Sequence, residues 1–171
     1  MTASNDTLTI EESGISFGPF DPELVYPIEN SALYEKTNQK NGKVQIAEFI
    51  LLKDVDKSTS KAKFMWMVEA KSSSPAPKDD SSKRLESPFE VYMEKVTSKL
   101  SNTLQLLISG AIEIKIVLVI KDHPLEWLEP ISDSLKKKLA PFARIWRVKS
   151  ENVVVINEEM AKKFGLASSV P

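Results

Sequence analysis

The chain has 171 residues, 42% of them hydrophobic and 27% charged, with a formal net charge of −1. That is enough apolar material for one ordinary domain with its own core, and it argues against wholesale disorder. There is no cysteine and one histidine, His123, which excludes a disulfide framework and a thiolate metal site and argues against a histidine-rich zinc centre. No run approaches the roughly 20 apolar residues that a membrane helix needs. The polar start, Met1 to Asp6, lacks the basic and apolar parts of a signal peptide. The expectation is a cytoplasmic protein without a membrane partner, folded as a single domain over residues 1–171.

In chain order, residues 1–14 read as a flexible leader with one short strand at Leu8-Thr9-Ile10. Ile15-Ser16-Phe17 is a second apolar piece before the turn cluster Gly18-Pro19-Phe20-Asp21-Pro22. Pro27 biases Tyr26 towards extended geometry, and a short helix is expected soon after, carrying Glu29 or Glu35. Residues 44–53 begin with alternation and end as a continuous apolar run, the pattern of a strand buried on both faces. Glu48 interrupts that run. A polar turn over 54–63 then leads to Phe64-Met65-Trp66-Met67-Val68-Glu69-Ala70-Lys71, a second buried strand, so the two strands form a hairpin.

The Ser-, Pro- and Lys-rich residues 72–88 read as a mobile loop. Ser87-Pro88-Phe89-Glu90 is a helix start, with a capping serine, a first-turn proline and the glutamate of a capping box. The stripe Phe89, Met93, Val96, Leu100, Leu104, Leu107, Ala111 has helical spacing, predicting a helix over 89–112. Its opposite face shows Glu94, Lys95, Lys99, Asn102 and Gln105. Residues 114–120 are a further central strand. Beyond Asp122-His123-Pro124, Leu128, Ile131, Leu135 and Leu139 mark an amphipathic helix that Pro130 is expected to kink or restart. Arg144-Ile145-Trp146-Arg147-Val148 alternates as a half-exposed strand, Val153 to Ile156 is the last strand, and a short helix capped by Asn157 ends at Gly165. The fold class is therefore α/β (α+β): a mixed sheet built around 44–53, 64–71 and 114–120 with helices on its faces.

Charge is unevenly spread. Acids occur from Asp6 to Glu29 before any lysine or arginine. Lys136, Lys137, Lys138, Arg144, Arg147 and Lys149 gather against the single acid Asp133. Such a patch can attract phosphate, or it can be a solvated helix face followed by a charge-guarded edge strand. On a strand, Glu69 and Lys71 share one face and Ala70 takes the other. Opposite charges at the mouth of an apolar strand are costly unless they pair or bind something. Carboxylates at 48 and 69, with the Ala70 carbonyl, are the hard oxygen set that Mg²⁺ prefers, and Lys71 is placed to act on a nucleophile or on developing charge. The plainer alternative is an ion network, in which Glu69 pairs with Lys71 and Glu48 holds a lysine such as Lys71 or Lys99 with no metal. Glu29 can equally serve only to complement the start of a short helix.

The order of Glu48 in a strand, a hairpin turn, Glu69-Ala70-Lys71 closing an apolar strand, a long helix and another strand resembles the PD-(D/E)XK nuclease superfamily, whose fold is restriction-endonuclease-like. The resemblance covers roughly residues 23–120. It implies metal-dependent phosphodiester hydrolysis with Mg²⁺ or Mn²⁺, or a module of the same fold that binds nucleic acid or a protein without catalysis. By resemblance Glu48 and Glu69 are metal-binding acids with Ala70 beside them, Lys71 is the catalytic lysine, and Glu29, with Glu35 second, is the upstream acid. The implied partners are nucleic acid, DNA before RNA, held by Lys136, Lys137, Lys138, Arg144 and Arg147, and a second copy of the chain in a homodimer. Glutamate stands at 48 where the superfamily usually has aspartate. Its extra methylene would set the metal slightly farther from the strand.

Overall fold

The computed structural model describes residues 6–29, 31, 45–76, 87–106, 113–146 and 148–168. Glu35 with most of the short helix expected after Pro27, the expected continuation of the 89–112 helix past Leu106, Arg147 and most of residues 72–88 lie outside the described residues. The strands are β1 (Leu8–Glu12), β2 (Ile15–Phe20), β3 (Val25–Pro27), β4 (Phe49–Asp56), β5 (Lys61–Lys71), β6 (Glu113–Ile120) and β7 (Val153–Asn157). The helices are α1 (Pro88–Leu106), α2 (Leu125–Trp146) and α3 (Glu158–Lys163).

Five strands make one mixed sheet in the order β3-β4-β5-β6-β7. β3, β4 and β5 run antiparallel to their neighbours, whereas β5, β6 and β7 are parallel. Parallel neighbours need a crossover, and α1 and α2 supply the two. The sheet is buried on both faces. Ile50, Met67, Ile116, Leu118 and Ile120 pack under α1 and α2. Phe49, Val68, Ala70, Val117 and Val119 pack on the other side against Phe17 and Phe20 of the β1–β2 hairpin and Ala161 of α3. This is why β5 and β6 read as near-continuous apolar runs.

The β1–β2 hairpin turns on Ser13 and Gly14, both with positive φ (53° and 75°), the signature of a type I′ loop whose twist suits the flanking strands. A Cβ added at Gly18 would lie 2.8 Å from the Leu8 carbonyl oxygen, so only glycine lets the two strands approach there. Residues 8–12 are thus part of a strand pair, longer than the three-residue strand expected.

Three boundaries differ from expectation. β4 starts at Phe49, not at 44, because Ala47 donates its N–H to Thr103 Oγ1 (2.7 Å) and Gln45 offers its carbonyl to Asn102 (3.0 Å). Helix side chains, not a neighbouring strand, satisfy that segment. The polar turn shrinks to residues 57–60, since pairing continues to Asp56 and Lys61. There Asp56 accepts from Ser58 and Thr59 and closes the loop. The described residues of 144–148 form no strand: α2 runs unbroken through Pro130 and Pro141 to Trp146. Pro130 sits near the helix start, where it removes one backbone donor, and the buried stripe Leu128, Ile131, Leu135, Leu139 holds the helix on the sheet.

Ser87 caps α1 as expected, accepting from the Glu90 N–H at 3.1 Å. Glu90 turns its carboxylate to Lys138 of α2 (2.9 Å) instead. Among the described residues no helix is long and apolar enough to cross a membrane. Leu100 is fully buried between α1 and the sheet. We predict that Leu100→Ala lowers stability by about 2–5 kcal/mol through cavity formation, measured as a shift in urea midpoint at unchanged slope. A loss below about 1 kcal/mol would place Leu100 outside a tightly packed core.

Candidate functional site at the carboxyl end of the central strand

β5 is the middle strand, and its last turn carries Glu69, Ala70 and Lys71. Strand alternation sends Ala70 into the hairpin-side core and Glu69 to the helix-side face with Met67. Glu48 enters from the adjacent strand end, where its N–H donates to the Val68 carbonyl (3.1 Å) and its own carbonyl accepts from the Ile28 N–H (3.2 Å). Lys99 arrives from α1. Its Nζ donates to Glu48 Oε1 at 2.9 Å and lies 3.1 Å from Glu69 Oε1 and 3.5 Å from Oε2. Lys71 Nζ pairs with Glu69 Oε1 and also donates to the Ala70 carbonyl at 3.0 Å. A carboxylate from β5 and one from the residue just before β4 therefore converge on a single ammonium.

Exposure rises outward across the cluster. The side chains of Glu69, Glu48, Lys99 and Lys71 are 0%, 8%, 16% and 26% exposed. Glu69 is its floor and Lys71 its mouth. Burial pushes the Glu69 carboxyl above the usual range, opposed by Lys71 and then Lys99. Burial, followed by the neighbouring Glu69 charge, lifts Glu48 to about 7. Burial alone would lower Lys99, but Glu69 and Glu48 outweigh it and hold its pKa above that of an ordinary lysine. Such opposed shifts between neighbouring groups in a cleft are characteristic of functional sites and also occur in structural ion networks.

The sequence places Lys99 on the face opposite the apolar stripe and also offers it as a partner of Glu48, and the second of these is what the structure shows. It lies between the buried Val96 and Leu100, one turn before the buried Thr103. Thr103 donates to the Lys99 carbonyl (2.9 Å) while accepting from Ala47. Its place at the border of the apolar stripe was the available signal. Tyr92 lies two turns earlier on α1, outside the motifs read from the sequence. Its hydroxyl is buried without a hydrogen-bond partner among the described residues, and burial and then the Glu69 charge raise its pKa.

The remaining candidates are scattered. Glu29 is exposed, one residue past Ile28, and joins no ion pair with the cluster; Glu35 lies outside the described residues. Lys136 to Lys138 fan around α2. Lys136 lines an apolar cavity with Trp66 and Val155, Lys137 faces solvent, and Lys138 pairs with Glu90. Arg144 belongs to α2 and not to a strand. His123 is half-buried. It hydrogen-bonds Ser74 Oγ (2.9 Å) and meets Trp127 edge-on at 4.9 Å.

Among the described residues no three His or acidic side chains group as a metal cage. The pair of acids still fits Mg²⁺ or Mn²⁺ in donor chemistry. Both already reach one cationic nitrogen, and the hard ion accepts one or two carboxylates with water completing its shell at about 2.0–2.1 Å. The Ala70 carbonyl is less free, since Lys71 Nζ and Ser13 Oγ (3.1 Å) both donate to it.

No protein-family model, curated protein or solved structure matches this chain.

The Glu48 shift has a consequence for stability. Its folded pKa of about 7 exceeds its reference value of 4.5, so the folded state keeps a proton that the unfolded state releases. The contribution is fully present below about 4.5 and is lost as pH rises through about 7. We predict that the urea midpoint of the unmodified protein falls across that window relative to Glu48→Gln, whose profile is flatter. Parallel profiles would show that Glu48 titrates normally.

Proposed function

We propose that this chain is a metal-dependent nuclease of restriction-endonuclease-like fold that hydrolyses phosphodiester bonds in nucleic acid, DNA in preference to RNA. The observation that carries the reading is the convergence of Glu48 and Glu69 on one cation position, with Lys71 paired to Glu69 at the open side. The order Glu48, β4, β5 with Glu69-Ala70-Lys71, α1, β6 supports it, because it is the arrangement on which the likeness to PD-(D/E)XK nucleases rests. The position also suits a ligand site. In open α/β sheets, ligands bind beyond the carboxyl ends of parallel strands, and here β5 and β6 end together at Lys71 and Ile120.

The residues divide the work. Glu69, held rigid by burial on the central strand, and Glu48, anchored through Ala47 to Thr103 of α1, would hold Mg²⁺ or Mn²⁺ between them. The ion supplies Lewis-acid polarisation of a phosphoryl oxygen and acidification of its bound water. Lys71, at the mouth, contacts incoming phosphate and either orients the attacking water or offsets charge developing on the phosphoryl oxygens. The lysines of α2 and Arg144 would add non-specific attraction to the backbone, with binding that weakens as salt rises. A second copy of the chain would place another such site on the opposite strand of a duplex.

A second reading keeps the fold and removes the chemistry. Lys99 already pairs with both acids and, together with Lys71, balances their charge, and a site compensated from within can be structural, leaving a module that binds nucleic acid or a protein.

Cleavage of plasmid and single-stranded substrates with Mg²⁺ or Mn²⁺ separates the two. We predict activity in the unmodified protein, a loss of about a hundredfold to a thousandfold in Lys71→Ala, and none in Glu69→Ala. Melting curves with and without metal should show that Lys71→Ala keeps the metal-induced stabilisation and Glu69→Ala loses it. If no metal supports cleavage and both substitutions merely lower the melting temperature, the structural reading holds.

A further inference from the structure

We infer that Lys99 is a resident counter-cation that occupies the divalent-metal position and is exchanged for the metal when the site is loaded. The inference rests on the metal-binding reading of Glu48 and Glu69. It deepens that reading by naming what holds the site in the metal-free protein.

The geometry identifies the position. Lys99 Nζ sits 2.9 Å from Glu48 Oε1 and 3.1 Å from Glu69 Oε1, within reach of both acids. A metal held by both carboxylates would need that place. The ammonium and the ion cannot share it.

Charge gives the same answer. With both acids ionised and both lysines protonated, the four-residue cluster is neutral. Adding a divalent ion while Lys99 stays would leave a net double positive charge in a largely buried site, where like charges repel most strongly. Moving Lys99 outward relieves this. The lysine stem is flexible, and the side chain is 16% exposed, so it is not sealed off from solvent. An entering phosphodiester brings the negative charge that the displaced ammonium can pair with at the mouth, beside Lys71.

Without Lys99 the fully buried Glu69 keeps only Lys71, and Glu48 loses its partner. Removing one member of a buried ion cluster leaves uncompensated charge. Lys99 therefore keeps the metal-free protein folded and, by the same contacts, weakens metal binding.

The test is Mn²⁺ binding by calorimetry to the full chain, unmodified and as Lys99→Gln and Lys99→Arg, with melting curves in parallel. Lys99→Gln should bind Mn²⁺ about tenfold or more tightly than the unmodified protein, the direction set by removal of a like charge from the ion's own position. It should also show the larger Mn²⁺-induced rise in melting temperature. Lys99→Arg, which keeps the charge, should bind no more tightly than the unmodified protein. If Lys99→Gln does not fold alone, Mn²⁺ should restore its cooperative melting transition; failure to do so overturns the inference. Equal or weaker Mn²⁺ binding by Lys99→Gln also overturns it. Tighter binding without cleavage by any variant supports the exchange and removes only the nuclease reading.

Discussion

The structure depends on one constraint: a carboxylate, Glu69, is fully buried on the central strand of the sheet. An unpaired charge there would be severely unfavourable, or the group would protonate. Two ammonium groups meet it, one two residues ahead on the same strand and one from the helix packed over it. That requirement links β5, α1 and the start of β4 into one unit. The helix must present Lys99 and Thr103 at the level of Glu69, and the segment before β4 must bring Glu48 to the same ammonium.

Stability and chemistry draw on the same contacts. Replacing a buried ion cluster with apolar side chains is often neutral or stabilising, so stability alone does not explain two acids and two lysines beneath a sheet otherwise lined by Val, Ile, Leu and Met. On the proposed reading, a site that receives a charged ligand would explain them. The acids must be fixed and dry enough to act strongly, and they must be neutralised while the ligand is away. The Tyr92 hydroxyl, buried and unpartnered among the described residues, is a further polar group whose pKa is raised by burial and then by the Glu69 charge.

Much of the fold was legible in the sequence. The buried strands at 64–71 and 114–120 were marked by apolar runs bounded by turn residues, and α1 by its stripe and its capping serine. The facing of Glu69 and Lys71 followed from strand alternation. What misled were segments whose environment comes from elsewhere in the chain. Residues 45–47 look like a strand but are held by Thr103 and Asn102, 56 or 57 positions away. The alternation at 144–146 is equally compatible with the end of a helix once tertiary packing carries α2 through its prolines. Lys99 was hardest to place. A lysine at the border of an apolar stripe normally runs its stem along the surface to water, and only the positions of two acids on other elements turn it inward.

The central claim is that Glu48 and Glu69 form a single cation position now held by Lys99. It is tested most directly by anomalous diffraction from crystals grown or soaked with Mn²⁺. The account predicts a Mn²⁺ peak bridging the carboxylates of Glu48 and Glu69, with the Lys99 ammonium moved out towards the mouth beside Lys71. Lys99 remaining between the two carboxylates at saturating Mn²⁺, with no anomalous peak there, would contradict it and leave the cluster as a structural ion network.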